Sequence, residues 1–254
     1  MNLVLLQPTL HAGDTEHNLN AVESLIKKVC EELSRDDIIL LPEHFTFEGD
    51  PKPYQNYLRR LASLAQCTIV GGSYHRKVDG KRINVGSIID ANGIEIGSYS
   101  KLRPYFNEQN HVSPGESFGE VTINGRSFLI LICADFWYSD IILKATKLPD
   151  VILVPSLSVS RKPKGEYSRS LWHHLAISRA YEFGVYVGIS DWGEQSTLPK
   201  YRTCGVGGFA DPTLLNPDQF FQPIDEKGIS IYKLNFKALE SFREDRRQRG
   251  FFWK

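Results

Sequence analysis

Short apolar runs alternate with segments of helical periodicity throughout this chain, and that alternation constrains its fold more than any other feature of the sequence. The apolar runs, which predict buried strands, occupy residues 3–7, 38–41, 68–71, 128–132, 151–154 and 185–189. Apolar residues at helical spacing predict helices over residues 18–33, 54–65, 137–147 and 170–183. Strands that alternate with helices are typical of layered α/β proteins, and this order fits either one doubly wound sheet or a sandwich of two mixed sheets.

A hairpin and a C-terminal segment complete the pattern. Asn92-Gly93 lies between two β-rich runs, and Asn-Gly is a strong signal for a tight hairpin turn. Residues 229–234 predict a late strand, and residues 241–254 read as a basic tail. We find no linker and no internal repeat, so we expect one domain that spans residues 1–254.

Charge and hydropathy argue against two classes of partner. The chain carries 30 basic and 30 acidic side chains, whereas binding to nucleic acid relies on a surplus of positive charge. No apolar run approaches the roughly 20 residues that span a bilayer, and residues 3–7 read as a strand rather than as part of a signal peptide. The four cysteines form no CxxC pair. We therefore predict no nucleic-acid or membrane partner, and a cytoplasmic protein with reduced thiols.

Cys133 is the first candidate for chemistry. It ends the apolar run at residues 128–132 and precedes a predicted helix, so it is expected at a strand-to-helix turn. Free backbone N–H groups and the helix dipole at such a turn lower the pKa of a thiol and stabilise an oxyanion. The competing interpretation is an inert buried cysteine, which is the commoner case.

Acidic and basic residues follow two other predicted strands. Glu43 comes directly after residues 38–41 and Pro42, with Phe45 and Phe47 close by in sequence, so its pKa could be raised enough for a general base. Lys101 follows the second arm of the hairpin and could hold an oxyanion as a fixed cation. Taken alone, each of the two residues is more often a solvated surface charge.

Taken together, these residues resemble the nitrilase superfamily of carbon–nitrogen hydrolases. A Pro-Glu pair at Glu43, Lys101 with Glu108 seven residues later, and Ile-Cys-x-Asp around Cys133 occur in the family's order of glutamate, lysine and cysteine. The similarity continues in residues 178–183 and 205–212. Several ordered matches over nearly the whole chain are much more specific than any one of these short motifs.

The resemblance implies a fold and an assembly. The fold is a single-domain, four-layer α-β-β-α sandwich. Subunits are expected to pair through outer helices as a homodimer or a higher even-numbered homo-oligomer. The tail would reach over the partner and give Phe251, Phe252 and Trp253 a surface to pack against. No metal and no organic cofactor is implied, and the expected partner is a small-molecule substrate.

The resemblance also implies a mechanism. Cys133 attacks a carbonyl carbon while Glu43 takes the thiol proton, and a thioester forms as the amine leaves. Lys101 and the backbone N–H of Ala134 stabilise the oxyanion. Glu108 corresponds to the family's second glutamate, which orients the lysine and the substrate. Phe136, Trp137 and Trp192 are further candidates for the lining of the substrate pocket.

Departures from the family pattern concern specificity. Arg103 stands where many members have histidine, and Cys133-Ala134-Asp135 differs from the Cys-Trp-Glu of nitrilases, which favours an amidase or carbamoylase. Arg161, in a basic loop, is either solvated or a contact for a substrate carboxylate. The alternatives are a nitrilase or acyl transferase that uses the same site, or a non-catalytic binding protein.

A Cys–His peptidase is disfavoured for this chain. Such enzymes pair the nucleophile with a histidine, and no histidine lies in a convincing partner context in the sequence. His173 and His174 lie on a predicted helix, where packing or surface positions are the expected roles.

Overall fold

Two mixed β-sheets form the centre of the computed structural model, which describes residues 1–44 and 48–252. The first sheet contains β1 (Asn2–Leu6), β2 (Ile38–Leu40), β3 (Glu48–Gly49), β4 (Thr68–Val70), β5 (Tyr74–Val78), β6 (Lys81–Ile89), β7 (Glu95–Ser100) and β17 (Ile229–Lys233). Its strand order is β17-β1-β2-β4-β6-β5-β3, with β7 also paired to β6. Phe45, Phe47 and Trp253, considered above near Glu43 and in the tail, lie outside the described residues.

The second sheet has the order β16-β15-β12-β10-β9-β8. Its strands are β8 (Gly119–Ile123), β9 (Arg126–Ile130), β10 (Val151–Pro155), β12 (Tyr186–Ser190), β15 (Gly208–Ala210) and β16 (Phe221–Pro223). A small third sheet joins β11 (Val159–Ser160), β13 (Thr197–Leu198) and β14 (Tyr201–Thr203).

Helices cover the outer faces of the two large sheets. They are α1 (Thr15–Lys27), α2 (Pro51–Ala65), α3 (Ser139–Leu143), α4 (Glu166–Phe183) and α5 (Phe236–Gln248). Apolar residues of α1 and α2 share one core with the first sheet, while α4 packs on β12 and β15 of the second sheet. The expected four-layer α-β-β-α sandwich is therefore confirmed.

Alternation along β1 shows why its sequence is continuously apolar. Leu3 and Leu5 point into the core between the two sheets, whereas Val4 and Leu6 point into the core under α1 and α2. Because successive side chains of a strand face opposite sides, a strand covered on both faces needs apolar residues at every position. The sheets approach closely at Gly188, where a Cβ atom would lie 2.6 Å from Leu3 Cδ2.

Two helices are shorter than their periodicity predicts. The first ends at Lys27 instead of residue 33, and a 3₁₀ turn follows it. The helix predicted over residues 137–147 is only α3, Ser139–Leu143, preceded by a 3₁₀ turn at Cys133–Trp137. Asp135 accounts for the second difference, because its carboxylate accepts hydrogen bonds from another loop and aspartate readily bonds outside a helix.

The C-terminal segment is mostly a helix, α5, rather than a basic tail. Arg243 is buried, with Nε 2.6 Å from the carbonyl oxygen of Gly184 and Nη1 2.8 Å from Asp150 Oδ1. Arg246 is also buried and stacks over aromatic rings. The predicted basic tail over residues 241–254 is therefore wrong for its helical part, because Arg243 and Arg246 anchor α5 within the subunit.

Across the described part of the chain, every helix is too short or too polar to cross a membrane.

Gly72 fixes the turn that follows β4, and its replacement is expected to destabilise the fold. Its φ is +66°, and a Cβ atom there would collide with the carbonyl oxygen of Pro42, the residue before Glu43. We expect Gly72→Ala to lower the free energy of unfolding by about 3 kcal/mol, from backbone strain plus overpacking. Urea unfolding measures this change.

A matched variant separates those two causes. Gly80 has a similar φ of +77° but no atom within 4 Å of its would-be Cβ. Gly80→Ala should therefore lose only the conformational part, about 1–2 kcal/mol. Equal losses in the two variants would contradict the steric argument.

Candidate active site

The ends of strands from both sheets bring the predicted residues into one cleft. Glu43 follows β2, Lys101 follows β7 and Cys133 follows β9. Lys101 Nζ lies 2.7 Å from Glu43 Oε1. Leu157, just after β10, connects Glu43 with Cys133. Its N–H donates to Glu43 Oε2 at 3.1 Å, and its carbonyl oxygen lies 3.9 Å from Cys133 Sγ. The structure thus places Glu43, Lys101 and Cys133 together.

Glu43 is buried, and hydrogen bonds hold both its carboxylate oxygens and its backbone carbonyl oxygen. Its Oε1 accepts from Lys101 Nζ and, at 2.9 Å, from Asn84 Nδ2, while Oε2 accepts from Leu157. The indole N–H of Trp192 donates to its carbonyl oxygen at 2.8 Å. A carboxylate held this way cannot rotate freely, so its free lone pairs point in defined directions.

Lys101 lies between two carboxylates. Its Nζ is 2.7 Å from Glu43 Oε1 and 2.7 Å from Glu108 Oε2, and the side chain is 3% exposed. Burial alone would lower the pKa of Lys101, but the negative charges of Glu43, of Cys133 when ionised, and of Glu108 raise it well above its usual range. The ammonium group is therefore a permanent, fixed cation in the cleft.

Glu108 is ionised in this environment. Burial acts to raise its pKa, but contacts from His44, His75 and Lys101 outweigh burial and hold the pKa of Glu108 well below its usual range. The backbone N–H of Tyr105 also donates to Glu108 Oε2 at 2.9 Å. Glu108 therefore holds the Lys101 ammonium group together with Glu43.

Cys133 begins a 3₁₀ turn with a φ of +48°, which is unusual for a residue other than glycine. Burial and the negative charge of Glu43 raise the pKa of the Cys133 thiol well above its ordinary value, and Lys101 offsets only part of this. The shift is opposite to that expected at a helix N-terminus, because α3 begins only at Ser139. The resting thiol is neutral and needs a base to become a nucleophile.

Asp135 orients the segment that follows Lys101. Its two carboxylate oxygens accept from the backbone N–H groups of Leu102, at 2.9 Å, and Arg103, at 2.8 Å. Burial raises the pKa of Asp135 to about 6, although these two hydrogen bonds act in the opposite direction. This contact couples the turn of Cys133 to the position of the Lys101 backbone.

Asp191 supports the loop that contains Leu157. It is fully buried, and it accepts from the N–H of Ser158, at 2.8 Å, and from the Ser158 hydroxyl. The N–H of Val206 donates at 2.8 Å to Asp191 Oδ2, the oxygen that also accepts from the Ser158 hydroxyl. These hydrogen bonds of Asp191 fix the position of the loop that contacts both Glu43 and Cys133.

No histidine was expected in the site from the sequence, yet two lie beside its acids. His44 Nε2 is 3.4 Å from Glu43 Oε1 and 3.5 Å from Glu108 Oε1. His75 Nε2 is also 3.5 Å from Glu108 Oε1. His44 directly follows Glu43, which was a usable signal, whereas His75 lies on a strand that its polar sequence did not predict.

The cleft has two parts that meet at Cys133. One part, about 440 Å³, is mainly apolar and is lined by Ala134, Trp137, Tyr138, Leu171 and Trp172, among others. The other, about 200 Å³, contains Glu43 and Lys101 and is lined further by His44, His75, His111, Arg161 and Tyr201. Arg161 thus lies in the cleft, with its guanidinium carbon 3.6 Å above the Phe106 ring.

Two residues suggested for the pocket lie elsewhere. Phe136 is fully buried in the core between the sheets, and Trp192 is buried behind Glu43 in the core under α1 and α2. The sequence could not show this, because aromatic residues near a strand end serve a pocket and a core equally well. Ala134 and Trp137, in contrast, line the cleft.

His173 has a packing position, as expected from the sequence. Its ring stacks on Phe221 with 4.0 Å between centroids. Burial lowers the pKa of His173 to about 4, so the ring is neutral at physiological pH. His174 is exposed on α4 and contacts Ser170 of the preceding turn.

Solved structures define the class of fold. Nit3 of Saccharomyces cerevisiae, of the nitrilase superfamily, superposes with a TM-score of 0.81 at 23% identity over 96% of this chain and 93% of that one. An amidase from Nesterenkonia sp. superposes with a TM-score of 0.73 at 19% identity over 98% and 96% of the two chains. The fold is that of the nitrilase superfamily.

The chain belongs to the carbon–nitrogen hydrolase family, whose model it matches over residues 3–214. It is also 25% identical over 162 residues to the glutamine-dependent NAD(+) synthetase of Acinetobacter baylyi, covering 58% of this chain. The match covers only 29% of that synthetase's length.

Proposed function

We propose that this protein is a thiol hydrolase that cleaves a non-peptide carbon–nitrogen bond of a small linear amide or N-carbamoyl compound through a thioester on Cys133. The observation that carries the proposal is the position of Glu43. One of its oxygens is bound to the buried Lys101 ammonium, and the other lies beside the loop that touches Cys133. A nucleophile, a base and a cation thus share one cleft.

The first half-reaction forms the thioester. Cys133 Sγ attacks the carbonyl carbon and Glu43 takes the thiol proton, so that a carbon–sulfur bond forms and the carbonyl oxygen becomes negative. As this intermediate collapses, the carbon–nitrogen bond breaks and Glu43 gives its proton to the leaving nitrogen. The raised pKa of the Cys133 thiol makes this coupled transfer necessary, because little free thiolate exists beforehand.

The second half-reaction releases the acid. Glu43 takes a proton from a water molecule that attacks the thioester carbon, and the carbon–sulfur bond then breaks. The departing sulfur regains its proton from Glu43, which restores the starting state. One base serves both steps because the same face of the acyl group is used twice.

Lys101 stabilises the oxyanion of both tetrahedral intermediates, together with the backbone N–H of Ala134. Glu108 keeps the ammonium in place, since its Oε2 lies 2.7 Å from Nζ. A preorganised cation is more effective than water here, because it does not reorient when the charge appears.

Arg161 supports substrates that carry a carboxylate. It lies in the part of the cleft that contains Glu43 and Lys101, and no acidic residue of the described chain forms an ion pair with it. We expect Arg161→Gln to raise KM for carboxylate-bearing amides by about 10- to 100-fold, since a charged hydrogen bond contributes roughly 1.5–3 kcal/mol. Steady-state kinetics measures this effect.

Two comparisons control the Arg161 variant. Neutral amides should show an unchanged KM, and Lys164→Gln, which removes an exposed charge from the same loop, should leave both substrate types unaffected. An equal rise of KM for neutral and acidic amides would contradict a role in binding the carboxylate.

We also propose that the protein forms a homodimer through α4. Tyr167 and Tyr181 are large side chains exposed on this outer helix, and tyrosine is enriched at interfaces. Sedimentation should show a dimer at micromolar concentration, which Tyr167→Glu weakens. A monomeric wild-type chain under these conditions would contradict the proposal.

Ammonia release from a panel of ω-amides, carbamoyl amino acids, carbamoyl amines and nitriles tests the function. We expect one class of amide or carbamoyl compound to be hydrolysed, Cys133→Ala to be inactive, and Cys30→Ala, which removes a partly exposed thiol, to behave as wild type. Acid formed only from nitriles, or acyl transfer to added hydroxylamine in preference to water, would replace the amidase assignment. Absence of turnover throughout the panel would favour a binding protein.

A further inference from the structure

His44, His75 and Glu108 converge at the edge of the cleft from three separate segments of the chain. His44 follows β2, His75 lies on β5 and Glu108 lies in the loop after Lys101. Each imidazole Nε2 is 3.5 Å from Glu108 Oε1. One ligand atom from each of the three residues lies within 4.8 Å of the others.

These distances fit the edges of a coordination polyhedron. In a tetrahedral zinc site with bonds of about 2.0–2.1 Å, neighbouring ligand atoms lie roughly 3.3–3.4 Å apart. The observed 3.5 Å from either imidazole to Glu108 differs little from this value. The side chains are 21%, 18% and 12% exposed for His44, His75 and Glu108, so the group is largely shielded but reachable from the cleft.

One ring nitrogen of His75 lacks a hydrogen-bond partner among the described residues. Its Nε2 is buried and has no hydrogen-bond partner of normal geometry within the described residues, and a buried polar atom left in this state is unfavourable. A cation between the three residues would satisfy this nitrogen.

The surrounding charges accommodate a dication. Glu43 and Glu108 carry two negative charges, and Lys101 neutralises one of them through bonds to both. Glu108 uses Oε2 for Lys101 and leaves Oε1 toward the histidines. A metal must displace two contacts of Asn84 Nδ2, which lies 3.1 Å from His44 Nε2 and donates to Glu108 Oε1 at 3.2 Å.

We propose that His44, His75 and Glu108 form a binding site for a divalent transition-metal ion of the Zn²⁺ class, and that its occupancy inhibits the enzyme. Two imidazoles select such ions over Mg²⁺ and Ca²⁺, which prefer oxygen ligands. The ion binds Glu108 and lies next to Glu43. It therefore competes with Lys101 for Glu108, and its positive charge opposes the transfer of the thiol proton to Glu43. Binding stands independently of the proposed function, whereas inhibition rests on it.

Calorimetric titration of Zn²⁺ into the Cys133→Ala protein tests the binding, because this background removes the nearby thiol as a ligand. We expect one ion per chain with micromolar affinity, no comparable binding of Mg²⁺, and a visible absorption band when Co²⁺ is used instead. His44→Ala and His75→Ala should each weaken binding by at least about tenfold. His174→Ala, which removes an exposed imidazole from α4, should bind as the parent does.

Several outcomes would overturn the site. They are absence of micromolar binding, affinity that both histidine variants leave unchanged, or binding that appears only when Cys133 is present. Zn²⁺ that binds in the expected way but leaves wild-type turnover unchanged would overturn the inhibitory role alone. A protein without amidase activity would still report on the site through the titration, so failure of the proposed function is distinguishable from failure of the site.

Discussion

Glu43→Gln is expected to reduce kcat for the substrate found in the panel by about 10³-fold or more. The amide retains the shape of the side chain and one oxygen that can accept from Lys101, but it cannot take a proton. General base catalysis typically contributes about 10²–10⁴-fold, and here the same carboxylate is assigned to both half-reactions. Single-turnover and steady-state kinetics together measure the loss.

A surface glutamate provides the matched control. Glu182→Gln removes a carboxylate from the exposed end of α4, where it pairs with Arg179, and should leave kcat unchanged. Both variants should remain folded, as judged by their unfolding curves. A Glu43→Gln protein with more than about a tenth of wild-type kcat would contradict the role of general base, since a lost base lowers the rate by more than this.

Lys101→Met is expected to impair both activity and stability. Without the ammonium group, the buried carboxylates of Glu43 and Glu108 face each other's charge with no cation between them. Removing one partner of a buried ion pair typically destabilises a protein by about 3–5 kcal/mol, and loss of one oxyanion donor reduces kcat by about 10²–10³-fold. Urea unfolding and kinetics measure the two effects separately.

The destabilisation should depend on pH in a defined direction. In the wild type the pKa of Glu108 is lowered, so its contribution to stability is present above the unfolded value of about 4.3 and is lost as pH falls below it. In Lys101→Met, Glu108 loses the part of this gain that the charge of Lys101 supplies, whereas the contacts from His44 and His75 remain. The difference between the two proteins should therefore be large at pH 7 and should shrink as the pH falls below about 4.

Lys144→Met controls for the loss of a lysine as such. Lys144 is exposed and pairs with Asp140 at 3.4 Å, so its replacement should change stability by less than about 1 kcal/mol. A Lys101→Met protein whose stability matches wild type at pH 7 would contradict the bridging role of the ammonium group.

The layered fold was predictable from the sequence because its strands are covered on both sides. Leu3 to Leu6 are apolar without interruption since alternate residues enter two different cores. Strand β5, Tyr74–Val78, was not predictable in this way, because its central residues are polar and partly exposed. Helix α5 was missed since the arginines that anchor it look like surface charge.

The sequence predicted only those parts of the site that side chains form. Glu43, Lys101 and Cys133 each follow a strand, and the resemblance to the family links them through their order in the sequence. The N–H and carbonyl groups of Leu157, which contact both Glu43 and Cys133, have no signature in a sequence because every residue has them. Burial of Trp192 behind Glu43 likewise follows from the packing of the sheets rather than from local pattern.

Competition among the four cysteines for a small electrophile tests the central claim most directly. Cys30 is partly exposed, whereas Cys67, Cys133 and Cys204 are buried. If exposure alone controls the rate, Cys30 is modified first. If Glu43 activates the nucleophile, acrylamide should modify Cys133 fastest in the wild type, and Glu43→Gln should remove this preference while Cys30 is unaffected. Mass spectrometry of the digested protein over time would then show Cys133 first only with Glu43 intact, whereas modification of Cys30 first in the wild type would contradict the account.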